Sequence, residues 1–164
     1  MKNLISLIAA TFLVLACCAS LTVTAATPPA AKDLVMSFNE SFTSGSTLDG
    51  AITLTGAISE RGTRHEDFSV ISVNSDGSQV VVAGTSTITT ASGTISTKFT
   101  GTIYFDNATF GSTHLAYVEG TESVTGGTGA YAAVVGKPGT FAATIDYVAN
   151  AGIGVFEAKV QLSQ

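Results

Sequence analysis

Cysteine is absent from the chain after Cys18, and only Cys17 stands before it. No disulfide framework can staple the body of the protein, so it must stand on its core and its backbone ladders. Charge is sparse as well, at 12% of residues, with seven basic against twelve acidic side chains. The basic residues are scattered and form no stripe, which excludes nucleic acid as a partner, because phosphate contacts need clustered Lys and Arg. Histidine occurs twice, at His65 and His114. With no Cys–His set and no H-E-x-x-H string, neither a metal nor a cofactor is expected. No segment after the N-terminal twenty residues approaches eighteen consecutive apolar residues, so no transmembrane segment is expected in the mature chain. A sustained 3.6-residue apolar period is missing, as are crossover segments of a dozen residues and any internal repeat of twenty or more. Helical bundles, α/β units and solenoids are thereby set aside.

What is present begins with Met1-Lys2-Asn3 and an apolar run from Leu4 to Ala19. A short basic region followed by such a run reads as a signal peptide. Two processing routes stay open. Val23-Thr24-Ala25 is a small-residue cleavage site, which makes 1–25 the leader. Val14-Leu15-Ala16-Cys17 resembles a bacterial lipoprotein signal ending at residue 16, with Cys17 as the lipidated residue; Leu15 is bulky for its position there. The expected location is secreted or periplasmic on the first route, and lipid-anchored to the outer face of a bacterial membrane on the second. Residues 26–33, with the paired Pro28 and Pro29, read as a flexible linker. About 140 residues follow the leader, enough for one domain with a sizeable core.

That domain, 34–164, alternates with a period of two. Leu34, Met36 and Phe38 share a face, as do Ile52, Leu54, Gly56 and Ile58. Ile95, Thr97, Phe99, Gly101, Ile103 and Phe105 line one side of the longest candidate strand. Phe156, Ala158, Val160 and Leu162 line one side of the last. Ser75-Asp76-Gly77 between two apolar runs signals a hairpin turn. Eight or nine strands joined by short polar turns leave a closed barrel or a two-sheet sandwich. Glycines inside strands (Gly56, Gly84, Gly101, Gly120) favour the barrel, whose coiled strands need places without a Cβ. The charged string Glu60-Arg-Gly-Thr-Arg-His-Glu-Asp67 reads as an exposed connection.

The segment Thr121 to Gly136 carries three glycines in four residues, Gly126-Gly127-Thr128-Gly129, then Ala130-Tyr131-Ala132-Ala133. Gly126, Gly127, Gly129, Tyr131 and Gly136 are assigned structural roles. The glycines permit a tight corner, one helical turn follows, and Tyr131 is laid over the end of the core. The string does not match G-x-G-x-x-G and no Walker Lys-Ser/Thr pair follows, so a nucleotide loop is not supported.

Gly101-Thr-Ile-Tyr-Phe105, Tyr117-Val-Glu-Gly-Thr121 and Val124 to Gly136 together resemble the C-terminal half of the allene oxide cyclase and dirigent-like barrels. Secreted bacterial proteins of undefined role look similar. The resemblance covers Lys98 to Val148 in motif and Leu34 to Thr90 in strand pattern alone. It implies an all-β fold, a single eight-stranded antiparallel β-barrel. It also implies an interior cavity for an apolar or phenolic ligand, with acidic and polar groups at its mouth, and self-association into a homo-oligomer. The catalytic set of neither family is complete in this chain. The nearest candidates are Glu119 and Glu122, with Tyr104 and Tyr117 nearby, because a carboxylate beside an apolar cavity acts as acid or base when its pKa is raised.

Three functions follow. The first is a non-enzymatic exported or surface-attached barrel, with a binding or structural role towards a small molecule or a cell-surface partner. The second is a barrel isomerase or cyclase acting on an apolar small molecule. The third is a non-catalytic carrier of a small apolar ligand. A cavity of roughly 300 Å³ or more with a carboxylate inside would favour the last two, and a barrel filled by its own side chains the first.

Overall fold

The computed structural model describes residues 30–162. The expected leader, its cleavage site and Cys17 lie outside the described residues. Successive strands pair antiparallel: β1 (Lys32–Ser44), β2 (Thr47–Gly56), β3 (Glu60–Val73), β4 (Gln79–Thr90), β5 (Gly93–Phe105) and β6 (Leu115–Gly127). A single helical turn, α1 (Phe110–Thr113), connects β5 to β6. After β6 come a 3-10 turn (Gly129–Tyr131), the two-residue β7 (Val135–Gly136), β8 (Gly139–Asp146) and β9 (Ala151–Gln161). β6 pairs with β8, β8 with β9, and β9 with β1 from Lys32↔Val160 to Ser41↔Ala151. That last pairing closes an eight-stranded antiparallel barrel, to which β7 adds two residues along β9. β1 starts at Lys32, inside the stretch read from sequence as a linker.

Closure explains the length of the strands. A closed barrel has no free edge, so strands of eight to fourteen residues find partners along most of their length. Register shifts between Phe42 and Ser44, Val70 and Ser72, and Ser96 and Thr97 place bulges where the strands bend. Gly101 and Gly120 face each other in the ladder, and a Cβ on either would stand 2.7 Å from the Phe141 ring. A Cβ on Gly154 would come within 2.4 Å of the Phe38 ring. These glycines keep the wall low where phenylalanines fill the axis.

One correction concerns Glu60–Asp67. The string is strand, not an exposed connection: it forms the first half of β3 and pairs with β2 from Thr47↔Asp67 to Leu54↔Glu60. Its charges alternate. Arg61, His65 and Asp67 face out, while Arg64 and Glu66 face the interior. Among the described residues no helix is long and apolar enough to cross a membrane.

Candidate functional site

The two ends of the barrel differ. At one end the chain leaves β6 through the glycine segment. Gly127 packs where a Cβ would stand 2.5 Å from the Tyr131 carbonyl oxygen, and Gly129 has φ +60°, a left-handed conformation that favours glycine. The 3-10 turn then buries Tyr131, with its hydroxyl 3.4 Å from Thr90 Oγ1, and Val134 is buried beside it. A Cβ on Gly136 would crowd the Val124 side chain. Gly126 has open space around it. Glu60 accepts from the Ser92 hydroxyl at this end, and hydrogen bonds from Ser92, Thr90 and Tyr131 hold its carboxyl down at about 2.

The other end carries the β1–β2, β3–β4 and β8–β9 turns and α1. Aromatic rings gather over it. Phe42 stacks on Tyr147 with centroids 6.1 Å apart and meets Phe68 edge-on at 6.3 Å. Phe110 meets Phe105 at 5.0 Å and Tyr147 at 5.7 Å.

Beneath these rings lies a cavity of about 60 Å³. Its walls are apolar on one side, with Phe99, Ile103, Val118 and Ile145, and polar on the other, with Glu40, Arg64 and Glu66. Gly152 leaves the wall open: a Cβ there would meet nothing nearer than Leu48 Cδ2 at 3.9 Å.

Arg64 organises the polar side. It is 4% exposed and sits over the Phe38 ring, 4.9 Å from the centroid. Its Nη1 donates to both oxygens of Glu40 at 3.1 and 3.2 Å. Its Nη2 donates to both oxygens of Glu122 at 3.3 Å and lies 2.7 Å from Glu66 Oε2. Glu122 Oε1 also accepts from Ser86 and Thr97, at 3.1 and 2.5 Å, and those two hydroxyls lie 2.6 Å apart. Five strands supply the set: β1 gives Glu40, β3 gives Arg64 and Glu66, β4 and β5 give the hydroxyls, and β6 gives Glu122.

Three carboxyls share one guanidinium. Burial works against the charge on Arg64, but Glu122, Glu66 and Glu40 more than offset it and hold its pKa above the ordinary value. Burial pushes Glu40 up against the pull of Arg64. Burial also pushes Glu66 up to about 7; Arg64 pulls it down, and Glu40, Glu122 and Asp67 push it up further. Glu66 therefore exchanges its proton near neutral pH, beside a cavity. Arg64 Nε is buried without a hydrogen-bond partner.

Of the residues singled out in the sequence, Glu122 lies inside, on the same face of β6 as Val118. Glu119 lies outside and exposed, where it accepts from the hydroxyls of Tyr104 at 3.3 Å and Tyr117 at 3.2 Å. The structure does not bring Glu119, Tyr104 and Tyr117 together with Glu122. Sequence reasoning did not assign Glu40, Arg64 and Glu66 to the site. Their signal was parity with Phe38 and Phe68, the inward residues of their strands.

Outside the barrel, His65 Nδ1 is 2.6 Å from Asp49 Oδ1, and His65 Nε2 is 3.3 Å from Asp67 Oδ2. Among the described residues no group of three or more His, Cys, Asp or Glu is placed to hold a metal ion. Comparison with known protein families, with curated proteins and with solved structures finds no match.

Proposed function

We propose that the protein is a non-enzymatic, exported barrel that binds a small molecule in the chamber between its phenylalanines and the Glu40–Arg64–Glu66 wall. The observation that carries this reading is the charge imbalance around Arg64. A buried ion pair contributes little to stability compared with apolar side chains of similar volume, and three carboxyls on one guanidinium contribute less still. A purely structural core at this level would be apolar or evenly matched. The chamber, at about 60 Å³, is several times smaller than the roughly 300 Å³ of a drug-sized site. One water takes ~10–15 Å³ on this scale, so the space suits a fragment of a few non-hydrogen atoms. The resemblance to allene oxide cyclase and dirigent-like barrels agrees with an interior site, and the N-terminal segment supports export.

The test uses Gly152→Val, which fills the chamber from an open stretch of wall. Fragments of up to about five non-hydrogen atoms are titrated into wild type and variant, and the methyl NMR signals of Ile103, Val118 and Ile145 are followed. Binders should shift those signals in wild type and lose that effect in the variant. Shifts that survive Gly152→Val, or no shifts with any fragment, would refute the reading. A barrel isomerase is the second reading, favoured by Glu66 at about 7, where an acid–base group works best at neutral pH. It requires a turnover that Glu66→Gln abolishes.

A further inference from the structure

Resting on the binding-chamber reading, the geometry points to a small organic ammonium that also carries an acceptor oxygen, the class of the short amino alcohols, as the ligand of this chamber. Three observations converge. Two carboxyls, Glu40 and Glu66, line the cavity, while the third, Glu122, is tied up by Arg64, Ser86 and Thr97. The one guanidinium cannot neutralise all three, so an entering cation relieves an excess of buried negative charge and an entering anion adds to it. Phenylalanine rings, Phe38, Phe42, Phe68 and Phe99 among them, make up much of the remaining wall. Their faces favour a desolvated ammonium, as the Arg64–Phe38 contact already illustrates.

The third observation is Arg64 Nε, a buried donor with no partner on a side chain that lines the chamber. A simple alkylammonium has no lone pair to offer it, whereas a hydroxyl oxygen does. An ammonium bonded to Glu66 or Glu40, a hydroxyl accepting from Arg64 Nε–H, and two carbons against the rings make a ligand of four non-hydrogen atoms, which suits the volume. Binding should be linked to protons. Glu66 faces Glu40 on β1, Glu122 on β6 and Arg64 on its own strand, and the charge of Asp67 reaches it from the outer face of that strand. The cation favours its ionised form and is repaid in affinity as pH rises.

Four probes of similar size separate the elements: ethanolamine, ethylammonium without the oxygen, ethylene glycol without the charge, and glycolate with the opposite charge. They are titrated at about pH 8 into the mature protein, with interior methyl signals as the readout; the ceiling for a ligand of about four non-hydrogen atoms is a dissociation constant on the order of tens of micromolar. Ethanolamine should bind about tenfold or more tighter than ethylene glycol, the share of one charge-assisted hydrogen bond, with ethylammonium between them and glycolate absent. Glu66→Gln should cost ethanolamine about tenfold while leaving ethylene glycol within about twofold. Glu119→Gln, the same charge change on the outer face, should leave both unchanged. Lowering the pH to about 5.5 should weaken ethanolamine and spare ethylene glycol. If ethylene glycol binds as tightly as ethanolamine, or if pH and Glu66→Gln leave the amine untouched, the cation assignment falls while the binding chamber stands. If no probe moves the interior signals, both fall.

Discussion

Replacing Glu66 by glutamine should stabilise the protein above neutral pH, although it removes a partner 2.7 Å from Arg64. The reasoning starts from the carboxyl being raised from 4.5 to about 7. Between those values the folded state holds a proton that the unfolded chain has lost. Stability therefore falls as pH rises through this window, and the full penalty stands above about 7. At 1.36 kcal/mol per pH unit the penalty is about 3 kcal/mol. Glutamine resembles the protonated acid: its carbonyl oxygen keeps the place 2.7 Å from Arg64 Nη2, and it carries no charge to bury. Glu66→Gln should thus be about 3 kcal/mol more stable than wild type near pH 8, and within about 0.5 kcal/mol of it near pH 4. In urea, with a slope of about 2 kcal/mol per molar, the midpoint would rise by roughly 1.5 M at the higher pH and hardly at all at the lower. The measurement is a pair of urea titrations at each pH, followed by far-UV circular dichroism. If the variant is less stable than wild type near pH 8 by about 1 kcal/mol or more, Arg64 outweighs burial and the other carboxyls. The interior would then be charge-satisfied, and the argument from imbalance would fail.

Two further outcomes test the two ends and the outer wall. Tyr131→Ala opens a hole over the closed end of the core and should cost about 3 kcal/mol or more, with fragment binding at the opposite end unchanged; a stability change within error would remove Tyr131 from its role as the corner's anchor. His65 has its pKa raised first by the hydrogen bond with Asp49, with Asp67 assisting, so its contribution to stability is fully present below the unfolded value near 6.5 and is lost as pH rises through the raised folded value. Asp49→Asn should bring the His65 titration, read from its ring-proton NMR shifts, back down towards that value, and an unchanged titration would show that Asp67 and the strand around it are responsible.

How much of this was legible beforehand follows from what a period of two encodes. Leu34, Met36 and Phe38 mark the inward face of β1, and Glu40 is simply the next residue on it. Thr97 lies between Ile95 and Phe99 in the same way. For those positions the alternation delivers both the barrel wall and two members of the polar set. β3 defeats the same reasoning. Its inward residues include Gly62, Arg64 and Glu66, and mixed charge is the ordinary mark of an exposed connection, because Arg and Glu are seldom buried unless paired. The partners that make burial tolerable lie 24 residues away at Glu40 and 58 away at Glu122, distances that carry no local signal. A purely apolar search for the core must therefore miss the level of the barrel where the interior turns polar. Glu119 and Glu122 show the same limit from the other side. Three residues apart on a strand, they point to opposite faces. Treating them as neighbours merged an outer tyrosine-bonded carboxylate with an inner one. The glycine segment was the more visible feature because its geometry is local: positive φ, close approach and one turn. It shapes the end of the barrel away from the chamber, and the chemistry sits where charge, not glycine, breaks the pattern.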